Sequence, residues 1–186
     1  AQDCLALWPP RDLLDNHHLS LRKGEELSSE MILEQAISWG YERVSLVTRP
    51  GELAVRGDIL DIHPPGYDLA LRLEFFGDVI EEMRLFDPVS QRSRAEMNEA
   101  VLLPSSPIIP HPDWMEQARE RWQGLESEGE LDENVAYDLR CALKVEEGGD
   151  LSVIPPGLYY DAPSRFLDWL PRDAVFLLPG HQALDE

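Results

Sequence analysis

"LRLEFFGDVI", Leu71 to Ile80, follows the strand rule for five residues and then departs from it. Leu71, Leu73 and Phe75 recur at every second position with Arg72 and Glu74 between them. The stretch therefore reads as a β-strand with one apolar and one polar face. The same alternation puts Phe76 on the polar face, beside Arg72 and Glu74. Gly77-Asp78 follows, a pair suited to a two-residue hairpin in which positive φ is needed. A large aromatic at such a place has two readings. Either a helix or the next segment covers it, which makes it ordinary core, or it stands out as an anchor for a partner.

Working outward, turn residues at Pro50-Gly51, Gly57, Pro64-Pro65-Gly66 and Gly77-Asp78 divide the neighbouring sequence into short strands. These are expected at about Arg43–Val47, Glu52–Val55, Asp58–Ile62, Ala70–Phe75 and Val79–Phe86. Leu19 to Leu21 predicts another strand, ended by Lys23-Gly24. Ser28 or Ser29 can cap a helix from about Glu30 to Trp39, in which Ile32, Leu33, Ala36 and Ile37 share a face. Gly40 stands where a glycine just past a helix end is favoured. The region is expected to be one helix against an antiparallel sheet.

The character changes after Leu103. "LPSSPIIPHPDW" holds four prolines in twelve residues and reads as a linker. Helices are expected at roughly Asp113–Gln123 and Glu133–Val145, with Gly148-Gly149 stopping the second. The acidic run "ESEGELDE", Glu126 to Glu133, reads as a solvated connector. It does not match the ligand and glycine spacing of a calcium loop. The continuous apolar run Ala174 to Leu178 suits a strand buried on both faces.

The 186 residues carry a formal charge of −20. Residues 1–95 hold 17 acids against 10 bases, and residues 96–186 hold 19 acids against 6 bases. Nucleic-acid binding rests on Lys and Arg neutralising phosphates, so this balance argues against it. Cys4 and Cys141 are read as two reduced thiols. The five histidines form no HExxH pattern, and no CxxC occurs, so neither a metal nor a cofactor is expected. No apolar run is long enough for a membrane helix, and the N-terminus lacks signal-peptide character. A cytoplasmic location is expected. The start at Ala1, rather than at an initiator methionine, suggests a piece of a larger protein.

Catalytic signatures are missing. There is no GxxxxGK[ST] or GxGxxG, and the glycines of "RPGELAVRGD" have neither the number nor the following helix to cradle a phosphate. Ser105 and Ser106 lie in the proline-rich stretch without rigid support. Asp58/Asp61 and Glu81/Glu82 fail as acid–base pairs, because strand parity sends the members to opposite faces, unless a bulge at Gly57 changes the phase for the first pair. The surface is left. Leu53 and Val55 face the core, so Arg56 points outward, like Arg72, Glu74 and Phe76. An outward aromatic near two arginines has the composition of a binding hot spot.

At these residues the chain resembles a known family. "GYERVSLVTRPGELAVRGDILDIHPP", residues 40 to 65, and "LRLEFFGDVIEEMRLFDPVSQRS", residues 71 to 93, are similar to the UvrB-homology module of the Mfd family of bacterial transcription-repair coupling factors. UvrB, the ATP-dependent DNA-damage helicase subunit, shares much of the pattern and is the alternative. Two features favour the coupling factors. "SQRS" after "FDPV" is similar to them, and Val175–Leu178 runs into Pro179-Gly180-His181 where a UvrB-type chain would carry an acidic helicase motif. "IPPGLYY", Ile154 to Tyr160, and "FLDWLPRDAVFLLPG", Phe166 to Gly180, extend the likeness.

The resemblance implies an α+β protein. Residues 1–17 would be the tail of a first UvrB-like segment, residues 18–104 a UvrA-binding domain, and residues 105–186 a returning UvrB-like α/β remnant. In the family, the whole protein recognises RNA polymerase stalled at a lesion, displaces it with an ATP-driven translocase and recruits UvrA in nucleotide excision repair. The translocase and polymerase-binding parts lie elsewhere, so nothing enzymatic carries over. The UvrA-facing residues would be Arg56, Arg72 and Phe76, with Glu74 on the same face. In the full-length protein a C-terminal domain would mask that surface.

Overall fold

The computed structural model describes residues 7–128, 133–143, 151–171 and 173. Cys4, Gly148-Gly149 and the strand expected at 174–178 lie outside the described residues. The elements in chain order are β1 (Leu7–Trp8), α1 (Asp12–Asn16), β2 (Leu19–Arg22), α2 (Ser29–Ser38), β3 (Glu42–Arg43), β4 (Glu52–Arg56), β5 (Ile59–Ile62), β6 (Ala70–Phe76), β7 (Val79–Phe86), β8 (Ser93–Glu96), β9 (Glu99–Leu102), α3 (Pro112–Glu128), α4 (Glu133–Ala142), α5 (Pro156–Tyr159) and β10 (Ser164–Arg165). The mixture of helices and largely antiparallel sheets is α+β. The chain divides into two compact units. One is Leu14–Pro112, and the other is formed by the residues flanking it on both sides.

In the flanking unit, β1 pairs antiparallel with β10. Ser164 donates from its hydroxyl to the Pro9 carbonyl at 2.5 Å and accepts from the Trp169 indole N–H at 2.6 Å. Arg121 donates to the Leu158 carbonyl, and Trp114, Tyr159 and Tyr160 meet edge-on. Two expectations change here. The helix expected to end near Gln123 continues to Glu128, so the acidic run begins as helix. Its Glu126 pairs with Arg140 of α4 at 3.0 Å.

In unit 14–112, α2 is capped by the Ser28 hydroxyl, which accepts from the Met31 N–H at 3.2 Å. It ends at Gly40, whose φ of +86° lets Tyr41 donate back to the Ala36 carbonyl. Ile32 and Ala36 are buried, but Ile37, expected on the same face, is exposed. A six-stranded sheet runs β3-β4-β5-β6-β7-β8, and β2 pairs separately with β9. The strand expected at Arg43–Val47 shortens to two residues and runs parallel to β4. The chain leaves it so that Thr48 and Arg49 can bond the buried Glu52 carboxylate. Burial pushes the Glu52 pKa up, but the bonds from Arg49 and Thr48 outweigh it and hold the group at about 2.

Strands β8 and β9 were not expected. All four residues of β8 are exposed, so no alternation marks it. β9 alternates, with Ala100 and Leu102 buried, but its partner β2 is some eighty residues distant in sequence. The proline-rich stretch is no loose linker either. Ile108 and Ile109 are buried, and Ser105 donates from both its backbone N–H and its hydroxyl to the Trp39 carbonyl.

The sheet has two unlike faces. One buries Leu53, Leu60, Ile62, Leu71, Leu73, Phe75, Ile80 and Met83. Burying each such side chain contributes about 1.5–3 kcal/mol. The run Ile80-Glu81-Glu82-Met83 breaks period two, and a bulge absorbs the extra residue: Phe75 pairs with Ile80, but Glu74 pairs with Glu82. Ile80 and Met83 thereby both stay inside. The opposite face carries a small cluster of Val47, Ala54, Ala70 and Phe86 at one end only.

Two tight hairpins set these faces. Arg56 pairs with Ile59 across Gly57-Asp58, and Phe76 pairs with Val79 across Gly77-Asp78. Gly57 and Gly77 each have φ of +60°, the left-handed start that a two-residue turn of this kind uses. Nothing lies within 4 Å of a Cβ built on either glycine, so a substitution there meets only backbone strain. Gly57→Ala and Gly77→Ala should each destabilise the chain by about 1–2 kcal/mol in urea denaturation, with no change in the denaturant slope.

Candidate partner-binding surface

The two hairpin turns lie at the same end of the sheet, where the Phe75 N–H donates to the Asp58 carbonyl at 2.8 Å. The turn carrying Phe76 is held from its other side. Gly24 donates to Ile80, Ile80 to Glu25, and Leu27 to Asp78, so residues 24–27 run alongside the start of β7. Phe76 therefore projects from a backbone fixed by neighbours on both strands.

No helix or later segment among the described residues covers Phe76. Phe76 is 78% exposed and Phe75 is 7% exposed. Val79, directly opposite Phe76, is 37% exposed. The pair makes an apolar step that sequence reading missed in part. The signal was present, since the position opposite Phe76 in a two-residue hairpin shares its face.

The arginines are arranged differently from expectation. Both are expected from strand parity to point outward, with no intramolecular partner assigned. Instead they converge on Asp61 of β5, which is 1% exposed. Arg72 donates Nε to Oδ1 at 2.6 Å and Nη2 to Oδ2 at 2.9 Å, a two-pronged pairing. Its guanidinium carbon lies 4.6 Å from the Phe86 ring centroid, within cation–π range. The Arg72 side chain is only 17% exposed. The bonds to Asp61 hold it charged against the opposing effect of burial. Arg56 donates Nη2 to Asp61 Oδ2 at 2.5 Å, but 45% of its side chain remains open.

Glu74 lies between Phe76 and Arg72 on the same face. Across the β6–β7 ladder, Arg72 faces Arg84 and Glu74 faces Glu82, two like-charge pairs. Arg84 resolves both diagonally, bonding Glu82 and approaching Glu74 at 3.5 Å. From the far end toward the turns, the face passes from apolar cluster through buried ion pairs to an exposed tip. Asp61 was passed over in the sequence because strand parity spoke only against its use as a catalytic partner. Among the described residues, no group of three or more His, Cys, Asp or Glu is arranged to hold a metal ion, and no helix is long and apolar enough to cross a membrane.

This hairpin sheet lies within residues 19–107, which match the UvrB interaction domain. Over 162 residues it is 34% identical to the transcription-repair-coupling factor of Escherichia coli K12, covering 87% of this chain. Over 86 residues it is 40% identical to the transcription-repair-coupling factor of Myxococcus xanthus, covering 46% of this chain. It is also 30% identical over 190 residues to the UvrABC system protein B of Dehalococcoides mccartyi, covering 90% of this chain. The matches span 13%, 7% and 28% of those relatives respectively.

The geometry separates folding from surface roles. Phe75→Ala should cost about 3–5 kcal/mol of stability by leaving a cavity. Phe76→Ala should change it by no more than about 0.5 kcal/mol. Arg72→Ala should cost about 3 kcal/mol, because a buried carboxylate loses its two-pronged partner. Chemical denaturation of the three variants measures all of this, and a Phe76→Ala as unstable as Phe75→Ala would show that Phe76 belongs to the core.

Proposed function

We propose that this chain is the UvrA-recruiting module of a transcription-repair coupling factor, acting in transcription-coupled nucleotide excision repair. The observation that carries the reading is Phe76, 78% exposed on a hairpin tip at the same end of the sheet as Arg56, within a UvrB interaction domain. Exposed aromatics and arginines on a fixed backbone are the residue types that dominate protein interfaces. Phe76 and Val79 would enter an apolar pocket on UvrA. Arg56, with the remaining open edge of Arg72, would take carboxylates through charge-assisted bonds, and Glu74 would bound the patch with a negative charge. The module does this by binding and carries out no reaction itself. ATP-driven translocation belongs to other parts of the parent protein.

The second reading is a piece of UvrB, supported by the 30% identity to a UvrABC system protein B. The sequence after Leu178 favours the coupling factor, since Pro179-Gly180-His181 stands where an acidic helicase motif would follow. The −20 charge also speaks against a direct grip on DNA by this chain.

Phe76→Ala should weaken UvrA binding by about 2 kcal/mol or more, and Arg56→Ala by a comparable or smaller amount. Calorimetric titration of UvrA with each folded variant measures this, and unchanged affinity for Phe76→Ala rejects the surface. In the parent protein, a C-terminal domain would cover the same patch. A closed state favoured about 99:1 would lower the parent's apparent affinity roughly a hundredfold relative to this chain. Equal affinities of the two proteins in parallel titrations reject the masking.

A further inference from the structure

We propose that Asp61 is the positioning residue of this surface and that it acts through Arg56. The proposal rests on the recruitment reading above and adds how the exposed guanidinium is aimed. Asp61 is 1% exposed and cannot itself touch a partner. It is nevertheless the point at which a chain of restraints meets the surface. The Phe86 ring, fully buried, lies against the Arg72 guanidinium at 4.6 Å. Arg72 fixes both oxygens of Asp61 through its two-pronged pairing. Asp61 in turn takes one N–H of Arg56, at Nη2. Each group in the series is held by the one before it, and Arg56 is the member whose side chain is nearly half open to solvent.

Two consequences follow from the chemistry. Arg56 stands at the strand end beside Gly57, where a long side chain would otherwise sample many rotamers. Anchoring one nitrogen leaves the rest of its planar donor set in a fixed orientation, which an ammonium on a flexible stem could not reproduce. One carboxylate also faces two guanidiniums, so the trio keeps one positive charge in excess, carried where the exposed donors are. The complement is a carboxylate on the partner, taken up by a group already oriented before contact.

The test is a double-mutant cycle on the 186-residue chain, read as UvrA affinity at a temperature where circular dichroism shows every variant folded. Asp61→Asn should weaken binding about tenfold in the native background and less than about threefold in the Arg56→Ala background. An equal loss in both backgrounds would mean that Asp61 acts only through general stability, and no loss in either would remove it from the site; both overturn the proposal. If Asp61→Asn does not fold, Arg56→Lys decides. It keeps the charge at an exposed position but loses the planar donors, and should weaken binding about fivefold; native affinity overturns the proposal. Phe76→Ala in the same series separates the two levels. Loss with Phe76→Ala but no Asp61–Arg56 coupling sinks the positioning role alone, whereas no binding by the native chain sinks the recruitment reading and this proposal with it.

Discussion

Two glycines decide which phenylalanine of the pair is buried. In a two-residue hairpin the turn fixes the register, and a one-residue slip would move every side chain to the opposite face. Gly57 and Gly77, both at φ +60°, supply a conformation that other residues adopt only under strain. With Arg56 locked opposite Ile59 and Phe76 opposite Val79, parity does the rest. Leu71, Leu73 and Phe75 go inward, and Arg72, Glu74 and Phe76 go outward. The bulge near Glu74 keeps that division intact along β7 despite the broken alternation there. The exposed aromatic is thus a consequence of backbone register, and the proposed recruitment surface depends on turns that lie beside it in the sheet.

The polar face is graded, and the grading has an energetic reason. A buried carboxylate is costly to desolvate, and its pairing rarely repays more than that cost relative to an apolar replacement. The Asp61 trio is therefore a poor explanation of stability as such. It does define geometry, because the paired donors and acceptors permit few arrangements while an apolar patch would permit many. The Val47, Ala54, Ala70 and Phe86 cluster beside it is ordinary packing, and it supplies the dry wall against which the Arg72 guanidinium lies. Moving toward the turns, each group has less of this wall and more water, until Phe76 has almost none.

How much could be read from the sequence follows from which interactions are local. The two-residue turns, the Ser28 cap, the Gly40 helix end and the alternation of β6 are signals carried by neighbouring residues, and each appears in the structure at or near its expected place. The pairing of β2 with β9 and the anchoring of the proline-rich stretch by Ser105 to Trp39 depend on partners far along the chain. No window of sequence contains both halves of those contacts. The site shows the same split. The direction of Phe76 was legible from parity, but the ownership of Arg56 and Arg72 by Asp61 was not, because parity states which face a side chain is on and not what it meets there. Asp61 shares that face by its place opposite Arg72 in the ladder, while Asp58 lies in the turn before β5.

The remaining tension is electrostatic. Residues 14–112 carry 17 acids against 9 bases, yet the sheet face keeps a half-open guanidinium, that of Arg56. Net charge and local charge act at different ranges. Beyond about 8 Å at physiological salt, exposed charges are largely screened, so the acidic balance of the chain acts on solubility and on the approach of other macromolecules. Within contact distance the Arg56–Asp61–Arg72 trio is a local surplus of one positive charge, and Arg84 neutralises much of the effect of Glu74 and Glu82 beside it. An acidic protein can therefore discriminate strongly against phosphate backbones while keeping a single oriented donor for a protein carboxylate. In the proposed contact, the apolar Phe76–Val79 step, which salt does not screen, would supply the part that electrostatics alone would leave weak.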